Sequence, residues 1–269
     1  MAIVDHLNDN NELLLVEIHV DGSNLYYRLG LIRTDTEGKL TGGITWQGKD
    51  WTHYDQGTHP WVAINEDKMV VEVHEGSNNK LWYNVGGFDE QGTFIWGVNN
   101  WPDNRNYNTG VRPTVALRGN LVFEAHNSSN DYLWCQIGSL NAGRRIDWEV
   151  PDLNNTDPNN TDPTIPTFPF PIDEPGSRYP SVALNSNGAV EAHKDGDGIW
   201  WRMGKTSNSV MAAGPTKRIQ DLYFGSYPPG ASGTEISIDA SDTHVVLAYI
   251  GDDSKIYYMV GDLHYNTPE

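Results

Sequence analysis

The sequence predicts an all-β chain, a five-bladed β-propeller made of four-stranded antiparallel blades. The first observation behind this is one phrase that recurs. Val70-Val71-Glu72-Val73-His74, followed by Trp82-Tyr83-Asn84-Val85-Gly86, returns as Val16-Glu17-Ile18-His19 with Tyr26-Tyr27, and as Phe123-Glu124-Ala125-His126 with Trp134-Cys135. It returns again as Val190-Glu191-Ala192-His193 with Trp200-Trp201, and lastly as Val246-Leu247-Ala248-Tyr249 with Tyr257-Tyr258. The second is the spacing. Residues 17, 72, 124, 191 and 247 are separated by 55, 52, 67 and 56 positions, the period of a repeat that folds as one sheet. The third is local pattern. Short β-branched and aromatic runs alternate with Gly, Asn and Asp turns, and no run has the 3.6-residue period of an amphipathic helix.

Each repeat holds four runs, and together they make one domain over 1–269, with repeats at about 1–57, 58–110, 111–178, 179–232 and 233–269. The first run is apolar: Ala2-Ile3-Val4, Trp61-Val62-Ala63-Ile64, Thr114-Val115-Ala116-Leu117, Ser181-Val182-Ala183-Leu184 and Glu235-Ile236-Ser237-Ile238. A turn such as Asn65-Glu66-Asp67 or Asn185-Ser186-Asn187-Gly188 joins it to the Glu-x-His run. A polar turn such as Glu75-Gly76-Ser77-Asn78-Asn79 leads to the aromatic run. The fourth run ends in an aromatic: Ile44-Thr45-Trp46, Phe94-Ile95-Trp96, Ile146-Asp147-Trp148 and, less clearly, Leu222-Tyr223-Phe224. Tyr54-Asp55-Gln56-Gly57 and Tyr107-Asn108-Thr109-Gly110 read as connecting loops. The fifth repeat is short, so its outer strand is either stunted around Leu263-His264-Tyr265 or missing. Beginning on an innermost strand, the chain is expected to close its ring by blade packing, not by a strand shared between the termini.

Residues 150–176 account for the longest spacing. Their tandem Asn-Asn-Thr-Asp-Pro and following prolines exclude helix and central strand, and the segment reads as a surface insertion within one ring. Its Phe168 and Phe170 either cover their own blade or meet a neighbouring subunit or a site.

Composition excludes several functions. A formal net charge of −18 argues against partners that present phosphates, whether nucleic acid or an anionic membrane. No apolar run is long enough to span a bilayer. The single cysteine, Cys135, permits no internal disulfide and reads as a small buried apolar residue. No signal segment is present, so a cytoplasmic protein is expected, one released to act on foreign glycans. Three sequons, at Asn127, Asn154 and Asn159, would matter only in a secretory pathway. Lys194-Asp195-Gly196-Asp197-Gly198 reads as a hairpin turn instead of a calcium loop, and the nine histidines form no metal-binding spacing. No cofactor is expected.

The chemistry concentrates in the Glu-x-His phrase. Residues two apart on a strand share a face, so Glu72 and His74 point together. A blade is covered on both faces, and burying an unpaired carboxylate there is costly. Each pair therefore either pins adjacent blades through hydrogen bonds or borders a polar cleft. A carboxylate accepts and an imidazole donates or accepts. With an aromatic platform alongside, such a group suits the hydroxyls and C–H face of a sugar. Trp46, Trp96 and Trp148 on the fourth runs, and Trp82, Trp134, Trp200 and Tyr26 on the third, are the candidate platforms.

The phrases Pro-Ser-Val-Ala-Leu-Asn at 180–185, Val-Val-Glu-Val-His-Glu at 70–75, Leu-Trp-Tyr-Asn-Val-Gly at 81–86 and Tyr-Asp-x-Gly-x-x-Pro at 54–60 resemble the repeat of the PLL-type β-propeller lectins, the Photorhabdus lectin family. The resemblance covers nearly the whole chain apart from the proline-rich insertion and the C-terminal tail. It implies a multivalent lectin that binds fucose, galactose-type or O-methylated glycans between blades and is able to form homo-oligomers. The sugar-contacting positions it implies are Glu17 and His19, Glu72 and His74, Glu124 and His126, Glu191 and His193, with Trp46, Trp96 and Trp148. Five repeats stand where that family has seven, as in the five-bladed tachylectin type. Leu247 and Tyr249 imply a dead fifth site. The resulting expectation is a binding protein that is not an enzyme. Two alternatives remain: an interaction propeller, and a five-bladed glycoside hydrolase using Asp5 or Asp239 with Glu12 or Glu235.

Overall fold

The computed structural model describes residues 2–3, 12–37, 39–89, 93–97, 105–148, 170–171, 176–195, 198–207, 210–213, 217–218, 234–251 and 253–263. The chain is all-β. Five antiparallel sheets follow one another as the blades of a five-bladed β-propeller, and the only helical turn among the described residues is a single 3-10 turn at Ser77–Asn79. By compactness the chain divides into two units, Met1–Asn120 with Asn141–Arg145, and Leu121–Leu140 with Ile146–Glu269.

Sheet order follows chain order in every blade. Blade one is β1 (Ala2–Ile3), β2 (Glu12–Asp21), β3 (Asn24–Thr34) and β4 (Leu40–Gln56). Blade two is β5 (Thr58–Ile64), β6 (Val70–Glu75), β7 (Lys80–Phe88) and β8 (Phe94–Trp96), with β9 (Asn106–Thr109) also on β7. Blade three has β10 (Val111–Arg118), β11 (Leu121–Asn127), β12 (Leu133–Leu140) and β13 (Ile146–Trp148), with β14 (Phe170–Pro171) on β12. Blade four has β15 (Arg178–Leu184), β16 (Gly188–Asp195), β17 (Gly198–Ser207) and β18 (Val210–Ala213), with β19 (Lys217–Arg218) on β17. Blade five has three strands among the described residues: β20 (Thr234–Ala240), β21 (His244–Ile250) and β22 (Ile256–Asp262).

In blades two to four the inner two strands are largely apolar and buried on both faces, as covered strands are, with the Glu-x-His residues as the polar exception; in blade five burial alternates along β21. In the first unit Leu14, Val16 and Leu29 of blade one pack with Val62, Ile64, Val70 and Phe94 of blade two. In the second unit Val190, Ala192, Ile199 and Trp201 pack with Ile236, Ile238, Leu247, Tyr249 and Met259.

Several expectations change. Tyr54 to Gln56 and Tyr107 to Thr109 are not connecting loops; they are strand, the end of β4 and the body of β9, laid against the start of β3 and β7. Among the described residues the outer strand is thus one run in blade one and two runs in blades two to four. Phe170 belongs to that second piece, its backbone opposite Cys135; Phe168 lies outside the described residues. The described fourth strand of blade four begins at Val210, and Leu222-Tyr223-Phe224 is outside the described residues, as are residues 264–269. Glu12 sits on a second strand and pairs with Arg33 at 3.1 Å. Asp195 and Gly198 face each other across a hairpin, which agrees with the turn reading.

Two recurring devices position the blades. Each inner strand of blades two to five is entered through a residue in the left-handed region: His59, Arg112, Tyr179 and Glu235, with φ between 49° and 57°. The register of β5, β15 and β20 shifts there, as in a β-bulge. The first turn of a blade also holds its neighbour. Buried Asn65 accepts from the Met69 N–H with its side-chain oxygen and donates to the Gly119 carbonyl, both at 2.8 Å. Asn185 repeats this, accepting from the Gly188 N–H and donating to the Ser241 carbonyl.

Candidate functional site

In an antiparallel sheet, directly opposed residues share a face. The register sets Glu72 opposite Asn84 and His74 opposite Trp82. Glu17 faces Arg28 and His19 faces Tyr26. Glu124 faces Gln136 and His126 faces Trp134. Glu191 faces Arg202 and His193 faces Trp200. Each of the first four blades thus carries a quartet: an acid beside a polar residue and a histidine beside an aromatic one. In blade five the quartet is Leu247 with Met259 and Tyr249 with Tyr257, and Leu247 and Tyr249 are buried core.

Glu72, Glu124 and Glu191 are each 0% exposed, and His74, His126 and His193 only 2%, 1% and 1%. In all three pairs the imidazole Nδ1 lies 3.0–3.1 Å from both carboxylate oxygens. The histidine satisfies the buried carboxylate and is itself held in one orientation. Burial lowers the basicity of the His74 imidazole, but the Glu72 carboxylate and then Asp55 outweigh that, and the net shift is upward. Gly57 lies on this ring. A Cβ there would sit 2.4 Å from His74 Cδ2 and 2.7 Å from the Glu75 carbonyl, so no larger residue fits.

Blade one departs from this pattern. Glu17 binds Arg28, with Arg28 Nη2 at 2.7 Å and Nε at 2.8 Å from the same carboxylate oxygen. The guanidinium lies 3.5 Å from the centre of the Trp46 ring and 4.2 Å from that of Trp51. Deprived of its acid, His19 stacks on Tyr26 and meets Trp51 edge-on, and its buried Nδ1 has no hydrogen-bond partner among the described residues.

The contact between blades one and two, both in the first unit, is the richest in polar and aromatic side chains among those described. Asn84 Nδ2 donates to Glu72 Oε2 and to Asp55 Oδ2, at 2.9 Å each. Tyr54 stacks on Trp96, ring centres 4.9 Å apart and 20° from parallel, and Tyr27 meets Trp96 edge-on at 5.7 Å. Burial, reinforced by the charges of Glu72 and Asp55, pushes the Tyr54 phenol well above its usual range. The Tyr54 hydroxyl is near enough to Glu72 to feel its charge but makes no hydrogen bond of sound geometry among the described residues.

The three tryptophans of the outer strands all lie over a glycine, where a Cβ on Gly30, Gly86 or Gly138 would come within 2.9–3.0 Å of the indole of Trp46, Trp96 or Trp148. Beyond that they differ: Trp46 carries Arg28, Trp96 carries Tyr54, and Trp148 closes over Gly138. Trp82, Trp134 and Trp200, beside the histidines, are half-buried. Asn84, Gln136, Arg28, Tyr54 and Asp55 escaped the sequence reading. A signal for the first three was there: a polar residue stands two before the glycine of each third run in the first four repeats, and Met259 in the fifth.

Asp239 and Glu235 are exposed, Glu12 is paired with Arg33, and Asp5 lies outside the described residues. Asn127 is buried with its side-chain nitrogen on the Ser177 carbonyl, so that sequon offers no acceptor in the folded chain; Asn154 and Asn159 are outside the described residues. Among the described residues no group of three or more His, Cys, Asp or Glu is placed to hold a metal ion, and no helix is long and apolar enough to cross a membrane.

No family model matches the chain, and no curated protein does. Solved structures do. A sialidase from Trypanosoma rangeli, in complex with the inhibitor DANA, is similar over 97% of this chain and 44% of its own, at 9% identity and a TM-score of 0.53. A GH43_1 enzyme from Xanthomonas citri complexed with xylotriose is similar over 98% and 87%, at 12% identity and 0.48. A putative glycoside hydrolase from Bacteroides ovatus is similar over 97% and 85%, at 12% and 0.44. The chain spans about half the length of the first matches, 52% of a Dos1 propeller and 44% of the sialidase. The expectation that the chain is not an enzyme is corrected here: its fold is shared with a sialidase, so the fold is no ground for excluding catalysis.

Proposed function

We propose that the chain recognises carbohydrate, as a multivalent binding protein of the kind the PLL-type resemblance implies, with its sites at the Glu–His quartets of the first four blades. One observation carries this. Blade five fills the same four positions with Leu247, Tyr249, Met259 and Tyr257, so packing alone asks only for apolar residues there. Four blades nevertheless keep a polar quartet in the same register. In this reading the buried glutamate fixes its histidine, and the half-buried aromatic beside that histidine is the surface a sugar ring meets. Several weak sites gain by avidity on a glycan-covered surface, and more so in a homo-oligomer.

The test is a glycan array with W82A, W134A and W200A, singly and together. Each single variant is expected to lower the number of saturable sites without unfolding the chain, and the triple variant to lose most binding. Full binding by a folded triple variant sinks the reading.

A second reading, glycoside hydrolysis, is favoured by the first cleft. Asp55 and Glu72 share the Asn84 amide at 2.9 Å each, which holds two carboxylate oxygens no more than about 5.8 Å apart. Retaining glycosidases keep their carboxyl groups about 5–5.5 Å apart. Glu72 is fully buried, which leaves Asp55 to face a substrate. Turnover of aryl glycosides that D55N abolishes would establish this reading, and no turnover across a panel of them would dismiss it.

A further inference from the structure

We infer that the cleft between blades one and two grips a saccharide by neighbouring hydroxyls, with the Tyr54 hydroxyl and the Trp96 indole N–H donating and the Asp55 carboxylate accepting. The inference rests on the carbohydrate reading and assigns it residues outside the quartets, apart from the tryptophan whose ring alone had been considered. Its starting point is a pair of buried polar atoms, Tyr54 Oη and Trp96 Nε1, that have no hydrogen-bond partner among the described residues. Native chains keep few such atoms, because a buried donor left unpaired costs its full desolvation. Here two of them belong to one stacked pair, 4.9 Å between ring centres.

Their chemistry defines what is missing. An indole N–H only donates, and a phenol held far above its usual pKa stays protonated and is able to donate. The cleft therefore asks for a ligand oxygen with free lone pairs. The nearby carboxylates do not supply it. Glu72 accepts from His74 and Asn84 and makes no bond of sound geometry to Tyr54. Asp55 takes Asn84 on Oδ2 and the Gln56 N–H on Oδ1, which leaves about two of its four lone-pair directions for a further donor. Two acidic groups disfavour an anionic ligand. A neutral hydroxyl accepts from Tyr54 or Trp96 and donates to Asp55 at once, so a polyol or sugar fits where a carboxylate or phosphate does not. Tyr54, Asp55 and Trp96 are all partly exposed, unlike Glu72 beneath them.

Asp55 also makes this site particular. It lies opposite Leu25 on β3, as Asn108 lies opposite Leu81 on β7. The next repeat thus places a neutral amide where the first places a carboxylate, and a carboxylate is the stronger acceptor.

The experiment takes the intact chain on a glycan array, then titrates the tightest-binding glycan while following the indole N–H signals by NMR. The Trp96 signal is the one absent from W96F. The Trp96 signal is expected to shift on binding in the wild type and in W200A, which is altered in blade four. In Y54F, which removes only an oxygen, and in D55N, the glycan concentration that half-shifts the Trp96 signal is expected to rise about tenfold. A Trp96 signal that does not move, or moves with an unchanged midpoint in Y54F and D55N, with glycan binding intact, overturns the assignment and leaves the carbohydrate reading standing. A wild-type chain that binds nothing on the array overturns both.

Discussion

His74 shows how far one residue's environment reaches. Its pKa is raised because Glu72, hydrogen-bonded at 3.1 Å, outweighs the effect of burial. A histidine whose folded pKa exceeds its unfolded value of about 6.5 adds stability that is fully present below that value. That stability is lost as pH rises through the folded pKa. We therefore expect the His74 ring signals to titrate with a midpoint above 6.5 by NMR, and the urea midpoint to fall as pH rises through that titration. H74Q should be less stable overall, its midpoint flatter across the same range. A midpoint at or below 6.5 would mean that burial prevails over Glu72. The sequence showed that Glu and His share a face and that a buried carboxylate needs a partner. It could not show that the two would partner each other, because that depends on the rotamers of both side chains.

At the scale of elements, the turn between the first two strands is both a hairpin and a clasp. Asn65 is 3% exposed and makes one bond within its turn and one to the neighbouring turn at Gly119. N65A strands the Met69 N–H and the Gly119 carbonyl, at a cost of about 1–3 kcal/mol, measurable as a lower urea midpoint. N65D keeps the acceptor and should recover part of the loss; equal stability of wild type and N65A would show that the clasp is idle. The runs Phe94-Ile95-Trp96 and Ile146-Asp147-Trp148 were legible to the residue, because an aromatic end and flanking turns are local signals. Tyr54 to Gln56 was not. Its polar residues and the following Gly57 look like loop, and only pairing with β3 makes it strand. That misreading hid Asp55 and Tyr54, half of the first cleft.

At the scale of the molecule, blade five is the internal control. It keeps the period, the bulge at Glu235 and the three-strand register, yet it closes its quartet with apolar side chains that pack on Val190, Ile199 and Trp201. The blade count and the odd fifth copy were both plain in the sequence, since they rest on repetition. The distinction among blades one to four was less plain. Arg28 takes Glu17 from His19 with its guanidinium set against Trp46 and Trp51, and that contact belongs to the fold.

The divided outer strand carries a consequence for how such chains change. In blades two to four both pieces are anchored to one strand, at Gly86 and Trp82, at Gly138 and Trp134, at Gly204 and Trp200. Whatever joins the pieces starts and ends at fixed points, so its length is nearly free. Doubling a flexible connection adds only about 0.6 kcal/mol of closure entropy. Trp96 and Asn106 are ten positions apart, while Trp148 and Phe170 are 22 apart, and the sheet beneath is the same. What the sheet fixes are the two anchor points, so the number of residues between them is the part of each repeat left free to vary.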